Sequence, residues 1–465
     1  MINQRSVFRI DDPFRGDVVA EVPLLDAAQA HSAVERAAAA QRGWARRSLE
    51  ERIAVSQGFV GALERRTEAV ARDISRQMGK PLAQARAEVG TCLDRVRSLI
   101  AQAPRALAPE ALQEKAGFTR RITHEPVGVV LVIAAWNYPL LVPVNAVVAA
   151  VLAGNAVLLK HAPRTPLCAE AFAAAFCEAG APPDLVVPLH VDHDVVAQVA
   201  EHPAVGYVSF TGSVRGGRQV YAAVAQRRFV EVGLELGGKD AAYVAPDADL
   251  GAAVENLVDG AMYNAGQSCC SIERIYVHRS LYDRFVEQAV RVVRGYRLGD
   301  PLDEATTMGP MALPGAPAAL AEQVADARER GGAVLCGGEP LQVEGRGRFF
   351  APTVVADAPQ DSALMQEESF GPVVGIAPVD SDEEAVKRMN DSRYGLTASV
   401  WSTAPALAER LGAQLEAGTI FLNRCDFLDP ELAWSGWKES GRGVSLSRFG
   451  FLPVTRRKSW HFRLP

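Results

Sequence analysis

The sequence predicts an α/β protein with a parallel sheet, because two patterns recur along its 465 residues. Residues 27–107 place apolar side chains at three- and four-residue spacing, which is typical of amphipathic helices. From residue 125 onward, short runs rich in Val and Ile alternate with helical patterns. Strands that alternate with helices favour βαβ units, whose strands pair in parallel.

The predicted elements follow one another in a regular order. We predict helices at residues 28–41, 49–66, 169–178, 250–264 and 281–296, and strands at residues 125–135, 157–160, 205–210 and 230–236. Residues 127–159 contain no charged side chain, but prolines and asparagines interrupt them. A membrane-spanning helix needs about 20 unbroken apolar residues, so we interpret this stretch as a strand, a turn, a helix and a second strand. The tail is expected to form an edge strand.

Composition and charge exclude several classes of protein. The 49 Lys and Arg are outnumbered by 55 Asp and Glu, a net charge of −6, so the chain lacks the basic surface of a nucleic-acid binder. Seven cysteines are too few for a disulfide scaffold and indicate a reducing compartment. Asp11 and Asp12 follow the first residues with no apolar run between, so no secretory signal is predicted. We therefore expect a cytoplasmic protein without a membrane partner.

Cys269 is the candidate nucleophile. It lies in Asn-Ala-Gly-Gln-Ser-Cys-Cys, residues 264–270, a polar turn after a helical pattern. A catalytic thiol needs exposure and access to the thiolate form, and a turn at a helix N-terminus can provide both. The alternative is a small buried apolar side chain, the common role of free cysteine. Cys269 and Cys270 are not expected to pair, because adjacent Cα atoms lie about 3.8 Å apart and disulfides need about 4.4–6.8 Å.

Two polar side chains at the ends of predicted strands are candidates for the same chemistry. Glu235 ends the strand of residues 230–236, and open α/β sheets bind ligands at the carboxyl ends of their strands. It is either a general base or a solvent-facing carboxylate, and this stretch alone does not decide between them. Asn137 follows the strand that ends near Trp136, and its amide could donate to an oxyanion. The alternative is a turn-forming Asn before Pro139.

Residues 209–217, Ser-Phe-Thr-Gly-Ser-Val-Arg-Gly-Gly, follow a predicted strand and precede a helical pattern. Gly212 and Gly217 would let the backbone approach a phosphate, and the N–H groups at a helix start favour anions. The G-x-G-x-x-G dinucleotide fingerprint is absent from this segment, so by itself it is a weak signal.

No metal site is predicted. His190 and His193 flank Asp192, but no third ligand has metal-like spacing, and a polar loop explains them. Neither Cys-x-x-Cys nor His-Glu-x-x-His occurs.

Seven short motifs occur in one order along almost the whole chain. They are Trp136-Asn-Tyr-Pro139, Lys160, Phe210-Thr-Gly-Ser213, Glu235-Leu-Gly-Gly-Lys239, Gly266-Gln-Ser-Cys269, Glu367-Glu-Ser-Phe-Gly-Pro372 and Lys438-Glu-Ser-Gly441. In this order the sequence resembles the aldehyde dehydrogenase superfamily, which the 34-residue spacing from Glu235 to Cys269 also matches. Seven motifs in register are far more specific than any one of them.

The resemblance implies a three-part subunit in a homodimer or homotetramer. Residues 1–107 and 127–237 would form a doubly wound, Rossmann-like cofactor-binding domain. Residues 238–440 would form an α/β catalytic domain. Residues 108–126 and 451–465 would form a small oligomerisation element.

The resemblance also implies NAD(P)-dependent oxidation of an aldehyde to a carboxylic acid. Cys269 would attack the aldehyde, Asn137 and the Cys269 N–H would hold the oxyanion, and Glu235 would activate water against the thioester. Cofactor contacts are implied at Trp136, Lys160, Arg164, Gly212, Ser213, Gly217, Gly237, Glu368 and Phe370. The substrate pocket is expected around Tyr138, Leu141, Asn145, Tyr263, Ser268, Cys270 and Arg424.

One departure from the family pattern concerns the cofactor. Three residues after the ribose-binding Lys160 the family commonly has a Glu that repels a 2′-phosphate, and this chain has Pro163. Arg164 follows and could reach a phosphate. We therefore predict that the protein uses NAD or NADP. Strict use of NAD would contradict this prediction.

Two other departures concern proton removal and the substrate. A Lys and a Glu thought to relay a proton correspond to Ala146 and Ser445, so protons must leave through water or Glu235. Arginines that bind succinic semialdehyde in some members correspond to Asn145 and Tyr263. Because a buried carboxylate without a partner is costly, a neutral aliphatic or aromatic aldehyde is favoured, unless Arg424 supplies the cation.

Other functions are weighed against hydrolytic aldehyde oxidation. A semialdehyde substrate is one alternative, and a CoA-acylating enzyme is another that a positioned hydrolytic base disfavours. A non-catalytic binding protein would not need Asn137, Glu235 and Cys269 together. No His is an evident base for a Cys protease.

Overall fold

Helices and strands alternate over most of the chain in the computed structural model, which describes residues 6–465. The helices are α1 (Ala27–Trp44), α2 (Leu49–Glu64), α3 (Thr67–Met78), α4 (Leu82–Ala106), α5 (Leu141–Leu152), α6 (Leu167–Glu178), α7 (His193–Glu201), α8 (Val214–Arg227), α9 (Leu250–Met262), α10 (Tyr282–Val293), α11 (Ala316–Glu329), α12 (Ala363–Gln366), α13 (Asp382–Asn390) and α14 (Pro405–Gly412). Two 3₁₀ turns are Tyr263–Gly266 and Arg448–Phe451.

The strands also run through the whole described chain. They are β1 (Val7–Asp11), β2 (Val18–Pro23), β3 (Phe118–Pro126), β4 (Val129–Ala134), β5 (Ala156–His161), β6 (Val186–Pro188), β7 (Val205–Thr211), β8 (Glu231–Glu235), β9 (Asp240–Val244), β10 (Ile272–His278), β11 (Ala333–Cys336), β12 (Pro340–Val343), β13 (Arg346–Phe350), β14 (Thr353–Ala356), β15 (Val373–Val379), β16 (Tyr394–Gly395), β17 (Thr397–Trp401), β18 (Thr419–Leu422), β19 (Trp437–Lys438), β20 (Gly441–Arg442) and β21 (Thr455–Arg463).

The predicted α/β class is confirmed, and the predicted elements differ from the observed ones mainly at their ends. The run at 125–135 is divided between β3 and β4, because Gly128 has a φ of +114° that breaks the strand. The uncharged stretch forms β4, α5 and β5 as predicted. Within residues 6–465 no helix is long and apolar enough to cross a membrane.

Local chemistry explains where several helices begin. Asp26, Ser48 and Ser213 precede α1, α2 and α8, and each side chain accepts the backbone N–H three residues further on. These bonds satisfy donors that a helix start leaves without partners. The cap on α8 matters for function, because it opens the helix that follows the glycine-containing loop.

The first sheet has the order β20-β8-β7-β4-β5-β6. Its strands β8 to β6 are parallel, and β20 is an antiparallel edge strand. Every residue of β4 and β5 is buried, as expected of strands covered on both faces. Helices α1, α5, α6, α7 and α8 pack against the sheet.

The second sheet has the order β11-β14-β15-β10-β9-β17-β18, parallel except for β11. Its core residues lie between 241 and 417, whereas nearly all of the first core lies between 30 and 236. The predicted boundary between residues 237 and 238 falls between these cores. The assignment of three functional domains stays a prediction.

A separate two-stranded ribbon pairs β3 with β21 in antiparallel register, from Phe118 opposite Arg463 to Pro126 opposite Thr455. The tail is therefore a strand, as predicted. The role of the ribbon in oligomerisation stays a prediction.

The connection from β8 to β9 brings the two sheets together. Residues 236–239 link the carboxyl end of β8 to the amino end of β9. The carboxyl edge of the first sheet therefore meets the amino edge of the second, and both contribute side chains to one cleft.

Candidate active site

A cavity of about 300 Å³ lies where the two sheets meet. Cys269 and Glu235 both line it, so the structure brings the predicted nucleophile and the predicted base together. Tyr138, Asn145 and Tyr263 line it with them, and so does Leu141. Four of the seven predicted substrate-pocket residues thus face this cavity.

The turn that carries Cys269 has an unusual backbone. Asn264 and Ala265 have φ values of +53° and +54°, a conformation that is costly for residues other than glycine. The Asn264 amide holds the turn by donating to the carbonyls of Asn137 at 3.0 Å and Gln267 at 3.2 Å. The turn follows the end of α9 and leads into β10. The expectation of a helix N-terminus beside Cys269 is therefore wrong.

The two adjacent thiols lie in different environments. Cys269 is partly exposed in the cavity, whereas Cys270 is 3% exposed and its Sγ donates to Asp426 Oδ1 at 3.0 Å. The neighbouring Cys269 side chain and burial both raise the pKa of the Cys270 thiol. Cys269 is therefore the accessible thiol of the pair.

Asn137 is buried beside the cysteine turn. Its Nδ2 donates to the Gln267 carbonyl at 3.2 Å, which fixes the side chain next to the residues that precede Cys269. An amide nitrogen carries two N–H donors, so one remains for an oxyanion. This placement suits the role that the sequence predicts.

Glu235 ends β8, as predicted. Its Oε1 accepts the Ser445 hydroxyl at 2.5 Å and its Oε2 accepts the Thr211 hydroxyl at 3.4 Å. Burial raises the pKa of the Glu235 carboxyl, and these two hydrogen bonds oppose that rise. A carboxylate with a raised pKa is a stronger base than an exposed one.

Helix α4 supports the site with residues that the sequence analysis did not select. Glu88 Oε1 accepts the Leu140 N–H at 2.8 Å, and Glu88 forms a buried ion pair with Lys80. The Lys80 ammonium lies 3.9 Å from the centre of the Tyr138 ring. These contacts hold the turn after β4, which carries Asn137.

Arg95 and Asp426 also line the cavity and were missed. Arg95 is 4% exposed on α4 and lies on its buried face together with Glu88, Cys92 and Leu99. Residues 88, 92, 95 and 99 follow helical spacing, and such positions point to the core. A charged residue among them could therefore have been recognised from the sequence as a buried charge. Burial raises the pKa of Asp426 to about 7. No local pattern singles out Asp426.

Three predicted substrate-pocket residues do not line the cavity. Ser268 and Cys270 lie behind it and donate to Asp426. Arg424 is exposed and stacks on the Phe427 ring, 3.4 Å from its centre.

A second cavity, of about 580 Å³, lies over the carboxyl ends of β4, β5 and β7. Trp136, Lys160, Gly212 and Ser213 line it, as predicted for a cofactor groove. The capped start of α8 opens onto it, and a helix start attracts phosphate. Burial lowers the pKa of Lys160 to about 8. These features fit a dinucleotide.

The groove has no acidic lining residue within the described chain, and Pro163 and Arg215 belong to its lining. Arg164 lies elsewhere, because its guanidinium is paired with the carboxylate and main-chain carbonyl of Asp11 on β1. Gly217 faces Leu236, whose side chain a Cβ would meet at 2.7 Å. The structure therefore does not bring Arg164 or Gly217 to the groove.

Glu368, Gly237 and Phe370 lie at the junction of the two sheets. Glu368 accepts the Gly238 N–H at 3.1 Å, and its carboxylate occupies the space where a Cβ on Gly237 would stand. Burial raises the pKa of Glu368 to about 8. Phe370 packs edge-on against Trp136 at 5.4 Å between ring centres. Trp136 thus joins these residues to the groove.

A model of the aldehyde dehydrogenase family matches residues 2–460. A succinate-semialdehyde dehydrogenase [NADP(+)] of Deinococcus radiodurans is 35% identical, over 97% of this chain and 94% of its own. The succinate semialdehyde dehydrogenase [NAD(P)+] Sad of Escherichia coli is also 35% identical, over 94% of each.

Solved structures agree with the fold. An NAD-dependent aldehyde dehydrogenase of Sinorhizobium meliloti is 34% identical with a TM-score of 0.94, over 98% of this chain and 91% of that one. An indole-3-acetaldehyde dehydrogenase of P. syringae in complex with NAD+ is 31% identical with a TM-score of 0.95, over 99% and 94% of the two chains.

Proposed function

The chain belongs to the aldehyde dehydrogenase family, and we propose that it oxidises an aldehyde to the carboxylic acid hydrolytically, through a covalent intermediate on Cys269. The observation that carries the proposal is that Cys269 and Glu235 line one cavity. The family makes the protein an NAD(P)-dependent oxidoreductase.

In the first half of the reaction the Cys269 thiolate attacks the aldehyde carbon and forms a thiohemiacetal. The Asn137 amide and the Cys269 N–H would donate to the oxyanion and lower the barrier, and the bond of Asn137 to the Gln267 carbonyl supports this role by holding its side chain. When NAD(P) is bound, its nicotinamide would supply the hydride acceptor. Loss of hydride from the thiohemiacetal carbon would leave a thioester on Cys269.

In the second half Glu235 removes a proton from a water that attacks the thioester carbon. The Cys269 thiolate leaves and the carboxylic acid is released. Burial raises the pKa of Glu235, which strengthens it as a base, and the Ser445 hydroxyl holds its carboxylate in place.

Trp136, Lys160 and the start of α8 would hold the cofactor, with Glu368 at the nicotinamide ribose. We propose that both NAD and NADP are accepted. No described acidic residue lines the groove to repel a 2′-phosphate, and Lys160 and Arg215 can neutralise one. Arg164 would first have to leave Asp11.

The similar enzymes of Deinococcus radiodurans and Escherichia coli are both named for succinate semialdehyde, which favours the semialdehyde alternative over a neutral substrate. We also propose that the protein is cytoplasmic and forms a homodimer or homotetramer through the β3–β21 ribbon. The tail strand is largely exposed, which leaves it available for a second subunit.

Rapid-mixing kinetics test the mechanism. Cys269→Ala should abolish both the burst and the steady formation of reduced cofactor. Glu235→Gln should keep a burst of about one equivalent and lose about 100-fold or more in steady turnover, since only hydrolysis needs the base.

Cys177→Ala is the matched control, because this thiol is exposed on α6. It should behave as the parent protein. Steady turnover in Cys269→Ala would overturn the covalent mechanism. Restored turnover of Glu235→Gln with CoA, with acyl-CoA as product, would support the CoA-acylating alternative instead.

A further inference from the structure

Arg95 differs from the other buried cations of the described chain. Lys80 is paired with Glu88, and Lys239 is paired with Glu273. Arg274 donates to several main-chain carbonyls at the end of α13. Lys160 lines the cofactor groove.

Arg95, like Arg274, donates only to neutral acceptors, but Arg274 has five of them and Arg95 has two. Its Nη1 donates to the Leu141 carbonyl at 3.0 Å and to Asn145 Oδ1 at 3.3 Å, and its Nε is buried without a hydrogen-bond partner. It forms no ion pair with a carboxylate of residues 6–465. A guanidinium keeps its charge at any physiological pH, and leaving it buried without an anion is unfavourable.

Three of the four carboxylates that line the same cavity already have partners, and the fourth, Asp259, is exposed on α9. Glu88 is paired with Lys80, and Glu235 is held by hydroxyl groups of Ser445 and Thr211. Asp426 accepts hydrogen bonds from Ser268 and Cys270. Arg95 lines the cavity that Cys269 lines, so an anion there would be part of a bound aldehyde.

We propose that Arg95, together with the Asn145 amide, binds a carboxylate at the end of the substrate remote from the aldehyde. The assignment rests on the proposed function and names its substrate class, a short aldehyde with a terminal carboxylate. Asn145 Oδ1 accepts from Arg95, so both N–H donors of that amide remain for the anion.

This cation comes from α4, whereas the arginines of other family members correspond to Asn145 and Tyr263, and Arg424 was the cation that the sequence suggested. Asn145 takes part as the neighbour of the cation. Arg424 does not line the cavity itself, but it stacks on Phe427, which does. A cavity of about 300 Å³ suits a small substrate.

The test compares 4-oxobutanoate with its neutral methyl ester. The parent protein should prefer the acid by about 100-fold in kcat/KM. Arg95→Gln should lower kcat/KM for the acid by about 100-fold, mainly through KM, and change the ester by less than about threefold. Because Arg95 also lowers the pKa of Glu235, each variant is compared at the plateau of its pH profile.

Two further variants test the neighbour of Arg95 and provide a control. Asn145→Asp places a carboxylate beside Arg95. It should therefore lower kcat/KM for the acid and leave kcat/KM for the ester nearly unchanged. Arg97→Gln, the same substitution on an exposed residue of α4, should change neither. A phosphate-bearing aldehyde preferred over the acid would overturn the assignment of a carboxylate.

Other results would overturn the assignment in distinguishable ways. The anion-binding role would be excluded if the parent protein had equal kcat/KM for the acid and the ester. It would also be excluded if a folded Arg95→Gln lost kcat/KM equally for both substrates. In both cases a Cys269-dependent burst with the ester would leave the proposed function standing. Absence of any burst with either aldehyde would instead count against the proposed function.

Discussion

The Glu235 carboxylate accepts one short and one longer hydrogen bond. Ser445 donates to it at 2.5 Å, at a position where the family pattern has a relay Glu. Behind them lies a cavity of about 20 Å³, lined also by Ala146 and Tyr207. That volume holds about one water. This cavity could hold one water of the proton path that the sequence predicts, and the path itself stays a prediction.

Ser445→Ala tests this arrangement. The hydrogen bond stabilises the ionised carboxylate, so its loss raises the pKa of Glu235 further. A base is active when ionised, so activity is lost as pH falls through that pKa, and the acid limb of kcat should move to higher pH. A bond to a charged group is worth about 1.5–3 kcal/mol, or about one to two pH units.

The pH profile of kcat measures this shift, because it reports groups in the bound complex. Thr211→Val removes the longer bond at 3.4 Å and should give a smaller shift in the same direction. An unchanged acid limb in Ser445→Ala would mean that Ser445 does not act on Glu235.

At the scale of elements, α4 carries two of the buried charges that organise the site, Glu88 and Arg95. Glu88 binds the backbone at Leu140, and Lys80 neutralises Glu88. Arg95 lies two turns further along the same face. A single helix thus positions the turn after β4 and supplies the cation of the cavity.

Glu88→Gln should be strongly destabilising, because it leaves the Lys80 ammonium buried without a counter-charge. Breaking one partner of a buried pair costs about 3–5 kcal/mol. Denaturant unfolding should show the loss, and Lys80→Met combined with Glu88→Gln should recover part of it. Equal stability of the parent protein and Glu88→Gln would show that the pair contributes little.

At the scale of the whole molecule, the cofactor groove lies on the first sheet, and residues that precede a strand of the second sheet approach it at Trp136. Trp136 follows the first sheet, whereas Phe370 and Glu368 precede β15 of the second. A dinucleotide that contacts both should therefore stabilise the entire chain. Ligand at 100 times its Kd adds about 2.7 kcal/mol to the free energy of unfolding.

Thermal unfolding with NAD and with NADP measures this effect without turnover. Both should raise the Tm, since no described carboxylate lines the groove. Pro163→Glu should keep the shift with NAD and reduce the shift with NADP, and Pro163→Gln is the uncharged control. A Tm shift with NAD alone in the parent protein would contradict dual use.

The order of secondary structure was predictable because its signals are local. Apolar spacing, strand-forming runs and glycines predicted helices and strands such as α2, β5 and β7 close to their observed positions. The division at Gly128 was missed, since a single positive φ does not alter the apolar pattern. Pairing of β20 with β8 is a long-range contact that no local pattern encodes.

By itself the sequence determined the family and the candidate nucleophile, oxyanion donor and base, because each lies in a short motif whose order along the chain is readable. Only the tertiary structure decided which charges surround them. Arg164 pairs with Asp11 on β1, away from the groove, and Arg95 enters the cavity from α4. The physical reason is that the partner of a buried charge is set by packing between distant elements.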